Sequence, residues 1–158
     1  MDAERAGGMS DEPAAQVADP TDPSIRELRA ILGGAHTIAV VGLSSDPMRE
    51  SYDIAAYLQE RGYRIIPVNP RETEVLGEKA YPSLLDVPTE APIDIVDVFR
   101  AAQTTPPIAE QAVRSGARVL WLQEGIVNDE ARRIAEEGGL TVVMDLCIRT
   151  TRARLEEE

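Results

Sequence analysis

A chain of 158 residues with a formal net charge of −12 suits a single domain and argues against nucleic acid as a main partner, because gripping a phosphate backbone needs a basic face. No apolar run nears the ~20 residues that span a bilayer, the acidic start Met1–Arg5 lacks the apolar stretch of a secretory signal, and the lone cysteine, Cys147, excludes an internal disulfide or a multi-cysteine metal site. A cytoplasmic protein without a membrane partner is the expectation.

The acidity is uneven. Residues 1–22 carry −5 and the last three glutamates −3, which leaves −4 on the 133 residues between them. A local cluster of arginines and backbone dipoles in that middle part can still hold a small anion. Residues 1–22 read as a disordered acidic tail, rich in Ala, Gly, Asp, Glu and Pro without apolar periodicity. Residues 23–155 read as one α/β domain.

In chain order, Ser24-Ile25-Arg26-Glu27 has the form of a capping box, followed by Leu28, Ile31 and Leu32 on one helical face and stopped by Gly33-Gly34. A first strand is expected over roughly 37–42. A helix over about 51–61 follows, with Ser51 as N-cap, an apolar stripe of Ile54, Tyr57 and Leu58, and Gly62 as its end. The second strand is Tyr63–Val68, where Pro67 demands an edge position or a strand end. The long segment 69–92 holds a short helix near Pro82–Asp86. The third strand is Ile93–Phe99. Thr105-Pro106 reads as N-cap and first helical residue of a helix reaching Ser115. The fourth strand is Arg118–Leu122, the next helix opens at Asn128-Asp129-Glu130, and the fifth strand is Leu140–Met144 before a last helix over 147–156. Five apolar runs separated by helices make a mainly parallel, doubly wound sheet covered on both faces, a Rossmann-like fold.

Ligands of such sheets bind beyond the carboxyl ends of the strands. The junction Ile38-Ala39-Val40-Val41-Gly42-Leu43-Ser44 runs a strand into a small-residue loop that feeds a helix, which favours a phosphate. A dinucleotide fingerprint would have glycines where Ser44 and Pro47 stand. Arg49 can pair with a phosphate and Ser51 donate to it, or Ser51 can simply cap the helix beside a solvated arginine. An NAD site ends its second strand with an acid; here Asn69-Pro70-Arg71 is neutral and then basic. That suits a ligand with a further phosphate on its ribose, as NADP and coenzyme A both have. Arg100 directly after the third strand can meet an anion, and Gly125 after Gln123-Glu124 gives a turn for close backbone approach. Asp94 and Asp97, three apart on one strand, suit no paired-carboxylate chemistry and are assigned to backbone donors or strand ends. His36, the single histidine, sits at the opposite end of the sheet. Cys147 is either an inert buried thiol or one placed to meet a thiol ligand.

The ordered segments Val40-Val41-Gly42-Leu43-Ser44, Arg49-Glu50-Ser51-Tyr52, Ile66–Pro70, Leu76–Leu84, Val96-Asp97-Val98-Phe99-Arg100, Trp121–Gly125 and Met144–Cys147 resemble the small stand-alone coenzyme A-binding proteins. Those are similar to the N-terminal domain of the succinyl-CoA synthetase α subunit. The resemblance implies coenzyme A at the strand carboxyl ends. Gly42, Leu43, Ser44, Arg49 and Ser51 would flank the diphosphate, and Asn69, Pro70 and Arg71 would lie near the adenosine. Val98, Phe99 and Arg100 would line the groove, with Gln123, Glu124 and Gly125 on the pantetheine side. The synthetase's second domain and its phosphorylated histidine have no counterpart here, so its reaction is not carried over. Many of the small proteins have a basic residue where this chain has Leu146.

The resulting expectation is a non-catalytic carrier, sensor or accessory module for coenzyme A or an acyl-CoA, with no metal and no catalytic residue assigned. The rivals are an NADP-linked reductase or a CoA-dependent transferase, and a receiver-like module with a vacant groove. A homo-oligomer or an unidentified protein partner stays open.

Overall fold

The computed structural model describes residues 22–157 other than 89 and 91. The tail expected over 1–22 lies, but for Asp22, outside the described residues. Among these, the chain runs α1 (Ile25–Gly34), β1 (Thr37–Val41), α2 (Glu50–Glu60), β2 (Arg64–Val68), β3 (Glu74–Val75), β4 (Glu78–Lys79), β5 (Ile95–Val98), α3 (Thr105–Arg114), β6 (Val119–Leu122), α4 (Asp129–Glu137), β7 (Thr141–Val143) and α5 (Ile148–Glu156). The long strands form one sheet in the order β2-β1-β5-β6-β7, every pair parallel.

Strand residues alternate between two cores. Ile38, Val40, Ile95, Trp121 and Val143 meet Leu28 and Leu32 of α1, Ile54 and Leu58 of α2, and Ile148 of α5. Ala39, Val41, Val96, Val98 and Leu120 meet Ala109 and Ala112 of α3 and Ala131 and Ala135 of α4. Because both faces are covered, the strands read as unbroken apolar runs rather than alternating ones. Each fully buried Leu, Ile or Val contributes about 1.5–3 kcal/mol. The alanines bring α3 and α4 close together. A Cβ on Gly138, just past α4, would stand 2.5 Å from a Val113 methyl of α3.

The capping box at Ser24 is present: Glu27 N–H donates to Ser24 Oγ (3.1 Å) and Ser24 N–H to Glu27 Oε1 (2.7 Å). Pro67 occupies the edge strand. Its carbonyl accepts from Tyr81 N–H (3.0 Å) on the outer side, so its nitrogen also faces outward and no ladder bond to β1 is lost.

Two local expectations are corrected and one segment gains an element. The second helix begins at Glu50 with Arg49 at the N-cap and no side-chain cap; Ser51 lies two positions past the cap and bonds elsewhere. The third helix has Thr104, not Thr105, at the cap. A short 3-10 turn over Ala102–Thr104 precedes it, and the Thr105 hydroxyl donates to the Ala102 carbonyl (2.7 Å). Within 69–92 the chain forms a hairpin, β3 with β4, in addition to the short 3-10 turn at Leu84–Asp86. Its turn residues Leu76 and Gly77 both have positive φ, 57° and 79°.

Candidate ligand-binding site

The chain goes from β1 through α2 to β2 on one side, then crosses to β5 on β1's other side. Between the carboxyl ends of β1 and β5 the order reverses, and that is where a crevice opens in doubly wound sheets. Here a cleft of about 600 Å³ lies there, lined by Gly42, Ser44, Arg49, Glu50, Ser51, Asn69, Arg71, Glu72, Phe99 and Arg100.

Gly42 makes the floor. Its φ is +92°, and an added Cβ would come 2.7 Å from the Phe99 carbonyl oxygen, so only glycine lets the β1 and β5 loops approach this closely. The Gly42 N–H donates to the Val68 carbonyl (2.8 Å). The Ser51 hydroxyl, buried at the start of α2, accepts from Ser44 N–H (3.1 Å). Ser44 Oγ accepts from Asp46 N–H (3.0 Å). Ser45 turns outward, and both its N–H (2.9 Å) and its hydroxyl (3.0 Å) donate to Glu72 Oε2.

Asn69 is buried where an NAD site would carry an acid. Its amide nitrogen donates to the Leu43 carbonyl (3.0 Å), and its amide oxygen accepts from Arg71 N–H (2.9 Å). The neutral residue therefore ties the loop after β1 to the turn after β2. Its donor is essential to this role.

The cleft gathers three arginines, Arg49, Arg71 and Arg100, against two glutamates, Glu50 and Glu72. Among the described residues no side-chain hydrogen bond or ion pair engages these guanidiniums, whereas Arg61, Arg149 and Arg152 are paired with carboxylates. Because Glu50 already places a negative charge in the first turn of α2, attraction for an anion comes from the arginines more than from the helix dipole.

Eight of the residues singled out in the sequence thus line one cleft: Gly42, Ser44, Arg49, Ser51, Asn69, Arg71, Phe99 and Arg100. Leu43 and Val98 lie outside the lining, with their side chains fully buried in the two cores. Pro70 is exposed beside it. Gln123, Glu124 and Gly125 follow β6, next to β5, outside this lining. Gln123 is buried with its Oε1 accepting from Ile148 N–H (3.1 Å), and Gly125 N–H donates to Asp145 Oδ1 (2.7 Å). The cleft residues not anticipated are Glu50 and Glu72. Glu72 was legible in principle: β1 and β2 are parallel neighbours, so the loops 44–46 and 69–72 emerge side by side.

Asp94 accepts from the N–H groups of His36 (2.8 Å) and Thr37 (3.0 Å) at the amino end of the sheet, as assigned. Asp97 departs from its assignment. It is fully buried in mid-strand, neither carboxylate oxygen has a hydrogen-bond partner among the described residues, and burial holds its pKa well above the usual carboxylate range. A second, smaller cleft of about 260 Å³ lies at the amino ends of the strands, beside Ile31, Asp94 and Arg118, away from the reversal point.

Fold and cleft together define a Rossmann-like domain with an arginine-lined crevice at the sheet's reversal point. A family model described as CoA binding domain matches residues 36–152, and the chain belongs to that family. Over 132 residues it is 46% identical to the uncharacterized protein YneT of Bacillus subtilis, covering 84% of this chain and 96% of that protein. It is 32% identical over 121 residues to the alpha subunit of an ADP-forming acetate–CoA ligase II from Pyrococcus furiosus, and spans only 26% of that subunit's length and 70% of its own. A solved structure of a hypothetical protein from Pyrococcus horikoshii superposes with a TM-score of 0.84 at 38% identity, covering 89% of this chain and 98% of that one. Among the described residues no helix is long and apolar enough to cross a membrane.

Proposed function

We propose that residues 23–155 bind coenzyme A or an acyl-CoA in the crevice between β1 and β5, as a carrier, sensor or accessory module rather than an enzyme. The observation that carries this reading is the meeting of three arginines, unpaired among the described residues, with a serine-lined, glycine-floored loop at the sheet's reversal point. Coenzyme A brings a diphosphate and a ribose 3′-phosphate, and guanidinium groups suit such oxyanions by bidentate hydrogen bonding. In this reading the diphosphate lies over Gly42 and Ser44 beside Arg49, and the ribose phosphate lies near Arg71. Arg100 faces the connecting oxygens. The pantetheine arm then passes Phe99 toward the end of β6 and the Gln123–Gly125 turn. The buried neutral Asn69 speaks against NAD, whose ribose hydroxyls call for an acid at that place. Binding rather than turnover is supported by the lining itself. The hydroxyls of Ser44 and Ser51 both accept backbone N–H bonds, and the single histidine lies at the far end of the sheet.

Isothermal titration with coenzyme A, acetyl-CoA, NADP and NAD tests the reading. Coenzyme A or its acetyl ester is expected to bind more tightly than either dinucleotide; tighter binding of NADP or NAD rejects it in favour of a reductase.

A further inference from the structure

We propose that Glu72 is a built-in competitor that holds the phosphate loop closed until a ligand displaces it; the inference rests on the reading of the crevice as a diphosphate site. The loop's backbone donors are largely consumed internally. Gly42 N–H is bound to Val68, Ser44 N–H to Ser51, Asp46 N–H to Ser44 and Met48 N–H to Asp46. Ser45 is different. Its N–H and its hydroxyl converge on one atom, Glu72 Oε2, at 2.9 and 3.0 Å, from a residue 27 positions further along the chain. A carboxylate oxygen taking two donors from a strand-to-helix loop occupies the place a phosphate oxygen takes in such loops.

The tether is short and ordered. Glu72 N–H donates to the Asn69 carbonyl (3.2 Å), and Asn69 itself is fixed to Leu43. The turn after β2 therefore delivers the carboxylate to the loop with little freedom. Arg71 is adjacent in the chain yet makes no ion pair with it among the described residues, so Glu72 is held by Ser45 rather than by its cationic neighbours. Glu72 lines the same cleft as the three arginines, and Ser45 adjoins its Ser44 rim, so a diphosphate seated over Gly42 and Ser44 that extends to the Ser45 donors must expel it. Once released, the carboxylate can turn outward into solvent.

Apparent affinity is reduced by the fraction of molecules whose loop is open. If Glu72 covers Ser45 nine times in ten, removing it strengthens binding about tenfold. The test compares the full chain with Glu72→Ala and with Glu72→Gln, which keeps an acceptor but loses the charge. Each is titrated calorimetrically with coenzyme A and separately with inorganic diphosphate, and amide exchange at Ser45 is followed by NMR. Both variants are expected to bind both probes more tightly, Ala more than Gln, and Ser45 N–H to exchange faster in the Ala variant. Equal or weaker binding by both variants, with the native chain binding coenzyme A, overturns the competitor and leaves the crevice reading intact. Tighter diphosphate binding by the variants while coenzyme A binds to none of the three proteins upholds the competitor and removes the coenzyme A reading. Silence of all three proteins toward both probes removes both.

Discussion

Gly42→Ala probes the close approach on which the crevice depends. The backbone there has φ +92°, well past the left-handed well near +57°, and an alanine in that region is strained by about 1–2 kcal/mol. The added Cβ would lie 2.7 Å from the Phe99 carbonyl oxygen and 3.3 Å from its carbon. That neighbour is backbone, itself tied by the Phe99 N–H to the Val41 carbonyl at 2.8 Å, so neither partner yields cheaply and overpacking adds about 1–3 kcal/mol. The total, about 2–5 kcal/mol, is a large share of the ~5–15 kcal/mol that holds a typical domain together. With a urea slope of about 2 kcal/mol/M, the midpoint falls by roughly 1–2.5 M. Gly125→Ala is the control. Its φ is also positive, +86°, but no heavy atom lies within 4 Å of the added carbon, so only the conformational cost of about 1–2 kcal/mol applies. Far-UV circular dichroism during urea unfolding measures both. Equal midpoint shifts for the two variants, or none at Gly42, would refute the steric argument.

Further outcomes follow from the same geometry. Arg49→Ala and Arg100→Ala are each expected to weaken coenzyme A binding by roughly 1–3 kcal/mol, and affinity should fall as salt rises; calorimetry at two salt concentrations checks both, and unchanged dissociation constants return the arginines to the solvated surface. Asn69→Asp turns a donor to the Leu43 carbonyl into a second acceptor and should cost about 1–3 kcal/mol in urea unfolding, more at neutral than at acid pH. Asp97 binds its proton more firmly folded than unfolded. The unfolded chain releases that proton at the ordinary value near ~3.9, so its contribution to stability falls as pH rises from there toward the raised folded value. Asp97→Asn should flatten this dependence, and Asp97→Val, with a β-branched side chain between Val40 and Trp121, should stabilise by about 1–3 kcal/mol at neutral pH. Parallel pH profiles of unfolding for the native chain and Asp97→Asn would contradict the buried, neutral carboxyl.

The sheet was readable because each long strand is buried on both faces and therefore written as an apolar run. Pro67 even marked the edge, since its missing N–H can only point away from β1. The cleft was readable for a related reason: in a parallel sheet the residues after the strands converge, so Gly42–Ser44, Asn69–Arg71 and Phe99–Arg100 had to meet. What was not readable depends on contacts between loops. The β3–β4 hairpin turns on Leu76-Gly77, and leucine is a poor residue for positive φ, so the usual Asn-Gly signal was absent. Ser51 has the chemistry of an N-cap, but the cap falls two residues earlier at Arg49 and the Ser51 hydroxyl serves Ser44 instead. The bond from the first N–H of α5 to the Gln123 amide oxygen depends on where α5 docks, which no local pattern shows. Glu72 has no local signal and is reached only by following the pairing of β1 with β2, which sets the loop after β2 beside Ser45.

We propose that the crevice at the carboxyl ends of the strands takes coenzyme A. The most direct measurement is an NMR titration of the isotope-labelled protein with coenzyme A, read amide by amide. Saturable shifts are predicted at Gly42, Ser44, Ser45, Arg71, Glu72 and Arg100. A spectrum that does not change, or one whose shifts gather around Ile31, Asp94 and Arg118 at the other end of the sheet, would contradict it.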